Sequence, residues 1–347
     1  MRPLLRLLIS MLPISVMANP PPHSWQSLPP IPDPIGFAAP FAGTHNKVLI
    51  VAGGANFPEK SPWQGGTKIW HDRAFILEKP DAQWRTDFHL PRPLAYGVSI
   101  STPRGIVCIG GSDDQQHFRD VFLLQWLDGK LLTQPLPSLP QTCANACGAA
   151  IGNTLFVAGG QTTPASTSAL HTFWSLDLTS PNPTWQTLEP WPGPARILAT
   201  AAAHEGFFYL FSGADLTPGP DGKAQRTWLN DAYRYHPDQG WKKLSALPRP
   251  AVAAPSPAPL LNPTSIAVLG GDDGAQLHVA PTAHQGFPKT PLVYDIPTNL
   301  WREAPALPFS LVTTTVVTWQ NLFVIPGGEA KPGIRSTEVW SLPLSQP

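Results

Sequence analysis

Residues 47–54 read KVLIVAGG, an apolar run that closes on a glycine pair. The same arrangement returns at Gly110-Gly111, Gly159-Gly160, Ser212-Gly213, Gly270-Gly271 and Gly327-Gly328, with serine replacing one glycine. The second glycines fall 57, 49, 53, 58 and 57 residues apart. A repeat of about 50 residues with a glycine pair at a fixed place marks a β-propeller of the kelch type. Glycine permits backbone angles and close approaches there that a Cβ would block.

A second mark runs in phase. Trp25, Trp84, Trp185, Trp241 and Trp301 stand 26 to 29 residues ahead of the next pair, and Leu132 takes the equivalent spacing in the remaining repeat. Each repeat reads as four short strands, the last carrying the tryptophan, whose bulk suits the wedge between neighbouring sheets. The repeats run over 36–88, 94–134, 145–187, 197–243, 251–303, and 309–344 with 22–28. HSWQSLPP near the start reads as a fourth strand and STEVWSLPL near the end as a third. Pairing them closes the ring and covers two exposed edges. The expectation is an all-β, six-bladed kelch-type propeller over residues 19–347, one domain, its last blade completed by the N-terminal strand.

Composition agrees. The 347 residues include 44 prolines and 28 glycines but only 13% charged residues, which suits short strands joined by ordered turns. The 42% apolar content argues against disorder. Arg2 and Arg6 flank an apolar stretch ending Val16-Met17-Ala18, which predicts a secretory leader over 1–18 and a periplasmic or secreted protein. That stretch is too short to span a bilayer. The remaining chain carries 21 basic and 23 acidic residues, so it has no electrostatic footprint for nucleic acid or an anionic membrane. The step from Cys143 to Cys147 is compatible with a small disulfide in an oxidising compartment, while Cys108, inside GIVCIGG, reads as a buried thiol. No spacing points to zinc, an EF-hand or a phosphate loop, so neither metal nor cofactor is expected.

The segments after the glycine pairs are long and chemically rich: ANFPEKSPWQGGTKIWHD, SDDQQHFRD, ADLTPGPDGKAQRTWLND and EAKPGIR. The turns expected on the opposite face, such as THNK and HEGF, are short. Function tends to sit on loops held by a rigid scaffold, so the site is expected where the long loops converge over the channel. Candidates on that face are Asn56, Lys68, His71, Asp72 and Arg73 after the first pair, and Glu329, Lys331 and Arg335 after the last. Arg92, Arg196 and Arg249 enter from the linkers between blades. Several arginines around one opening suit a carboxylate ligand, and a carboxylate such as Glu329 suits proton transfer. Each has a structural alternative. The three linker arginines can tie blade to blade, His71-Asp72 can open a strand, and Glu329 can pair with Lys331 or Arg335 on its own loop.

GGEAKPGIRSTEVW (327–340) resembles the Gly-Glu-Ala-Lys-Pro-Gly-x-Arg segment of bacterial sialic acid mutarotases, the N-acetylneuraminate epimerases. GFAAPFAGTHNKVLIVAGGANFP (36–58), RPLAYGVSISTPRGIVCIGG (92–111) and GPARILATAAAHEGFFYLFSG (193–213) resemble other blades of that family. The blade order is rotated, as in a cyclically permuted branch, and Pro93-Leu94 and Ser212 depart from the family pattern. The resemblance implies a cofactor-independent enzyme that interconverts the α and β anomers of N-acetylneuraminate, a small acidic sugar. It implies Glu329 as the proton-transfer residue and Arg335 as a carboxylate clamp. Arg196 and Arg92 would be further carboxylate contacts, and Asn56, His71 and Lys331 other substrate contacts. Two alternatives stand beside it: an isomerase or lyase for another acidic sugar, and a non-catalytic module that binds protein or glycan.

Overall fold

The computed structural model describes residues 24–344. The expected leader over 1–18 lies outside them. Six four-stranded antiparallel sheets stand around a channel. The blades run in chain order, from Phe41–His45, Val48–Ala52, Arg73–Leu77 and Arg85–His89 in blade 1 to blade 6. Blade 6 joins Val317–Trp319, Leu322–Pro326 and Val339–Pro343 to Gln26–Leu28, with Ser27 opposite Trp340. The expected closure is therefore the one observed.

The second strand of each blade is predominantly apolar because neighbouring blades cover both its faces. Val48–Ala52 and Gly105–Ile109 are buried throughout. The outermost strands are largely exposed. The short turns THNK and HEGF form two-residue hairpins whose central residues, Asn46-Lys47 and Glu205-Gly206, all have positive φ. That is the geometry matching the twist of paired strands.

Both members of each glycine pair also have positive φ. Ser212 holds this conformation at φ 56°. Its hydroxyl donates to the Leu229 carbonyl and accepts the Ala251 N–H, which offsets the backbone penalty.

The channel is closed at its waist by a device with no counterpart in the expected strands. Ala39, Tyr96, Asn145, Leu198, Ala253 and Thr313, one from each blade, all lie in the left-handed region, with φ between 52° and 63°. Each N–H donates to the carbonyl of its counterpart in the preceding blade, at 2.7 to 3.1 Å, and Ala39 donates to Thr313. Six hydrogen bonds thus form a closed ring. Left-handed residues cost about 1–2 kcal/mol each where a Cβ is present, and the ring's bonds offset that strain. The waist leaves only about 70 Å³, between a cavity of about 470 Å³ on the long-loop face and one of about 490 Å³ on the other.

The structure answers one point that the sequence left open and corrects one expectation. Cys143 and Cys147 are free thiols, as is Cys108, and all three are buried. Burial pushes Cys143 and Cys147 up to about 12 and Cys108 higher still, so the thiolate needed for exchange chemistry is disfavoured. Blade 2 also departs from the tryptophan pattern. Leu132 is exposed, and Thr133 stands across from Leu124 at the place where Trp241 faces Tyr235 and Trp301 faces Tyr294.

Candidate functional site

The long loops gather over one face, as expected. Three of them fold back as two-stranded ribbons: Ala55–Asn56 with Ile69–Trp70, Ala214–Pro218 with Ala224–Trp228, and Glu329–Lys331 with Ile334–Arg335. The residue after each second glycine pairs with the residue before the ring member, as in Ala38–Ala55, Ala95–Ser112 and Val312–Glu329. Six equivalent positions therefore rim the floor: Ala55, Ser112, Gln161, Ala214, Asp272 and Glu329. Ser112, Gln161, Asp272 and Glu329 line the cavity of about 470 Å³. One repeat position thus carries much of the site's chemistry.

Glu329 is held by its own ribbon. Its Oε1 accepts the Gly333 N–H at 2.6 Å and lies 2.9 Å from Arg335 Nη1. Gly333 has φ +75°, as the third residue of a type II turn after proline requires. A Cβ there would come within 2.6 Å of the Pro62 ring. The Arg335 side chain is only 4% exposed; its Nε donates to the Ala55 carbonyl, and its guanidinium lies 5.2 Å from the Phe57 ring centre. The Nη1 contact is close but off-line for a hydrogen bond, so the pairing there is Coulombic. Arg335 is committed to this chain's own carboxylate.

Lys68 is the contrasting cation. Its Nζ sits 5.1 to 5.8 Å from the ring centres of Tyr96, Trp70 and Phe57 and has no ion-pair partner among the described residues. Arg226 lines the same cavity. Asp272 accepts the Trp228 indole N–H on Oδ2 at 3.1 Å and the Gly274 N–H on Oδ1 at 3.0 Å. His117 is buried, and its Nδ1 lies 3.0 Å from the Gln161 carbonyl. A carbonyl only accepts, so Nδ1 carries the proton and Nε2 keeps a lone pair. Burial holds His117 below the usual imidazole range. No group of three or more His, Cys, Asp or Glu among the described residues stands close enough to hold a metal.

The other expected site residues lie elsewhere. Asn56 is buried, with its Nδ2 donating to the Gly36 carbonyl and its Oδ1 bonded to His71 Nε2 at 2.8 Å. Lys331 is exposed on the ribbon and does not line the cavity. Arg196 is fully buried; it grips Asp231 through two hydrogen bonds at 2.9 and 2.8 Å and donates to the Ser212 carbonyl. Arg92 pairs with Asp120 at 2.9 Å on the half-exposed edge of blade 2, and Arg249 donates to the Gly270 and Thr290 carbonyls. All three linker arginines thus clasp their own blade. Arg92, Arg196 and Arg249 do not converge on the cavity, whose lining cations are instead Lys68, Arg226 and Arg335. Asp272 and Gln161 went unread, although their place after the second glycine, shared with Glu329, was a usable signal.

His45 and His71, like His117, are held below 6.5 chiefly by burial, with Arg73 adding to the effect at His71. The unfolded chain therefore takes up protons first on acidification. The stability these imidazoles confer is full above about 6.5 and is lost as pH falls below it. Thermal melts from pH 7.5 to 5 should show a falling midpoint, and His117→Asn should flatten that slope. An unchanged slope in the variant would remove His117 from the account.

A family model described as N-acetylneuraminate epimerase matches residues 15–133 and 136–280. A protein of Haemophilus influenzae (strain 86-028NP) named N-acetylneuraminate epimerase is 32% identical over 232 residues, 59% of this chain and 58% of that protein. Proteins of the same name from Yersinia pestis (strain Pestoides F) and Brucella suis are 40% and 37% identical over 108 residues. Those matches cover 28% of this chain in each case, and 26% and 27% of the relatives. The chain thus aligns with little more than half the length of the Haemophilus relative.

Proposed function

Because the chain belongs to the N-acetylneuraminate epimerase family, we propose that it interconverts the α and β anomers of N-acetylneuraminate by opening and reclosing the sugar ring. The observation carrying this reading is the Glu329 carboxylate, presented at the floor of a polar cavity by Gly333 and Arg335. The anomeric hydroxyl gives its proton to a base, the bond from the anomeric carbon to the ring oxygen breaks, and that oxygen takes a proton. The resulting ketone is re-attacked on its other face. Oε1 of Glu329 holds the Gly333 N–H and faces Arg335, so Oε2 is the oxygen assigned to proton transfer. No electron or group carrier enters this balance, and a positioned proton-transfer residue supplies typically ~10²–10⁴-fold.

Lys68 is assigned as the anchor for the substrate carboxylate, because it is the half-buried cation of the cavity without a carboxylate of its own. His117 Nε2 and Asp272 are assigned as acceptors for sugar hydroxyls. On the leader reading the enzyme is assigned to the periplasm or to secretion, and on the repeat reading its propeller is assigned to the kelch type.

Proton NMR of freshly released α-N-acetylneuraminate tests the proposal. The β-anomer H3 signals should grow faster with protein than without, and equal rates would remove this substrate. Lys68→Ala in the same assay should raise KM more than it lowers kcat. A lost charge-assisted hydrogen bond of about 1.5–3 kcal/mol corresponds to roughly tenfold to hundredfold. An unchanged KM would place the carboxylate elsewhere.

A further inference from the structure

The cavity that presents Glu329 has two unlike sides. Around Lys68, from blades 1 and 2, it is aromatic and polar, with Trp70, Tyr96, Ser112 and His117. Across the channel Leu198, Val252, Ala253, Phe287 and Val312, from blades 4 to 6, line it as members of one apolar cluster. Backbone bridges pair Val252 with Asp272 and Val312 with Glu329, so this apolar side abuts both carboxylates. The backbone polar groups of these five residues are already committed. Leu198 and Ala253 use their N–H and C=O groups in the ring at the waist, Val252 and Val312 in the two bridges, and Phe287 on the Ser310 hydroxyl, all at 2.7 to 3.0 Å.

We infer that this apolar side is the subsite for the N-acyl group of the substrate, and that it selects a methyl terminus over a hydroxylated one. The inference rests on the mutarotase reading, which sets Lys68 on the substrate carboxylate and Glu329 on the anomeric hydroxyl. Carboxylate and anomeric hydroxyl share one ring carbon, and the N-acyl group stands on the ring carbon directly across from it. Holding the first carbon between Lys68 and Glu329 therefore turns the acyl group away from blades 1 and 2. In a six-bladed ring, blades 4 and 5 stand opposite those two. A terminal methyl gains by leaving water against Val252, Phe287 and Val312. A hydroxyl in its place would lose its water partners and find none in return.

The probes are N-acetylneuraminate and its N-glycolyl analogue, which differ by one hydroxyl on the acyl methyl. Anomer exchange followed by proton NMR should give a KM roughly tenfold to hundredfold higher for the N-glycolyl sugar, with kcat nearly equal. Intermolecular Overhauser contacts should run from the acetyl methyl to the methyls of Leu198, Val252 and Val312. Val252→Thr, which keeps the side chain's size and adds a hydroxyl, should narrow the KM ratio between the two sugars. Three results would overturn the subsite while leaving the mutarotase reading in place: accelerated exchange with equal KM for both sugars, contacts confined to Trp70 and Tyr96, or an unchanged ratio in folded Val252→Thr. No acceleration of either sugar removes the mutarotase reading, and the subsite falls with it. The wild-type ratio and contacts decide the matter should Val252→Thr fail to fold.

Discussion

Glu329→Gln is expected to return the conversion of α-N-acetylneuraminate close to its uncatalysed rate, a loss of about 10²–10⁴-fold in kcat/KM. The amide keeps the size of the side chain and can still accept the Gly333 N–H, but it cannot take a proton at neutral pH and no longer balances the charge of Arg335. The melting temperature should therefore fall, because Arg335 is only 4% exposed, and activity is measured on the folded fraction. NMR exchange rates at several substrate concentrations separate the cases. A fall in kcat with KM nearly unchanged fits proton transfer, whereas a change in KM alone would make Glu329 a binding residue. Full activity in the variant would remove the mechanism while leaving the propeller untouched.

The second large effect concerns folding. Arg196→Met is expected to destabilise the protein by about 3–5 kcal/mol, because it leaves Asp231 and the Ser212 carbonyl without their buried cation. Asp231 also accepts the Tyr233 hydroxyl at 2.7 Å, so the change unsettles a network and not a single pair. Arg92→Ala removes the comparable pair with Asp120, but both of those side chains are more than 40% exposed. That substitution should cost only about 0.2–1 kcal/mol. Urea midpoints for the two variants, with activity measured on the folded fractions, test the contrast. Equal losses would mean that burial does not govern these clasps. A fall in substrate affinity for folded Arg196→Met would restore Arg196 as a substrate contact.

The fold was legible because its determinants are local and repeated. Each apolar run ending in a glycine pair specifies a buried strand followed by a left-handed turn, and six of them leave little choice of architecture. The resemblance of the last repeat also drew attention to Glu329 and Arg335, and the structure brings them together at 2.9 Å. The linker arginines were not legible in this way. Arg92, Arg196 and Arg249 look alike in sequence, and their roles depend on whether Asp120, Asp231 or a backbone carbonyl faces them.

The amino-acid sequence by itself determined six four-stranded blades, the closing strand near the N-terminus and the face on which long loops gather. These follow from periodicity and chain connectivity, which short-range steric rules enforce. Tertiary structure alone decided the rest. The six-membered hydrogen-bond ring exists only because Ala39, Tyr96, Asn145, Leu198, Ala253 and Thr313 meet across the channel, and no local signal marks residues so unlike one another. Among the described residues Lys68 has no carboxylate partner while Arg335 is neutralised, because of which carboxylates lie within 4 Å of each. Coulomb energies depend on distance and burial, and both are set by chain segments far apart in sequence.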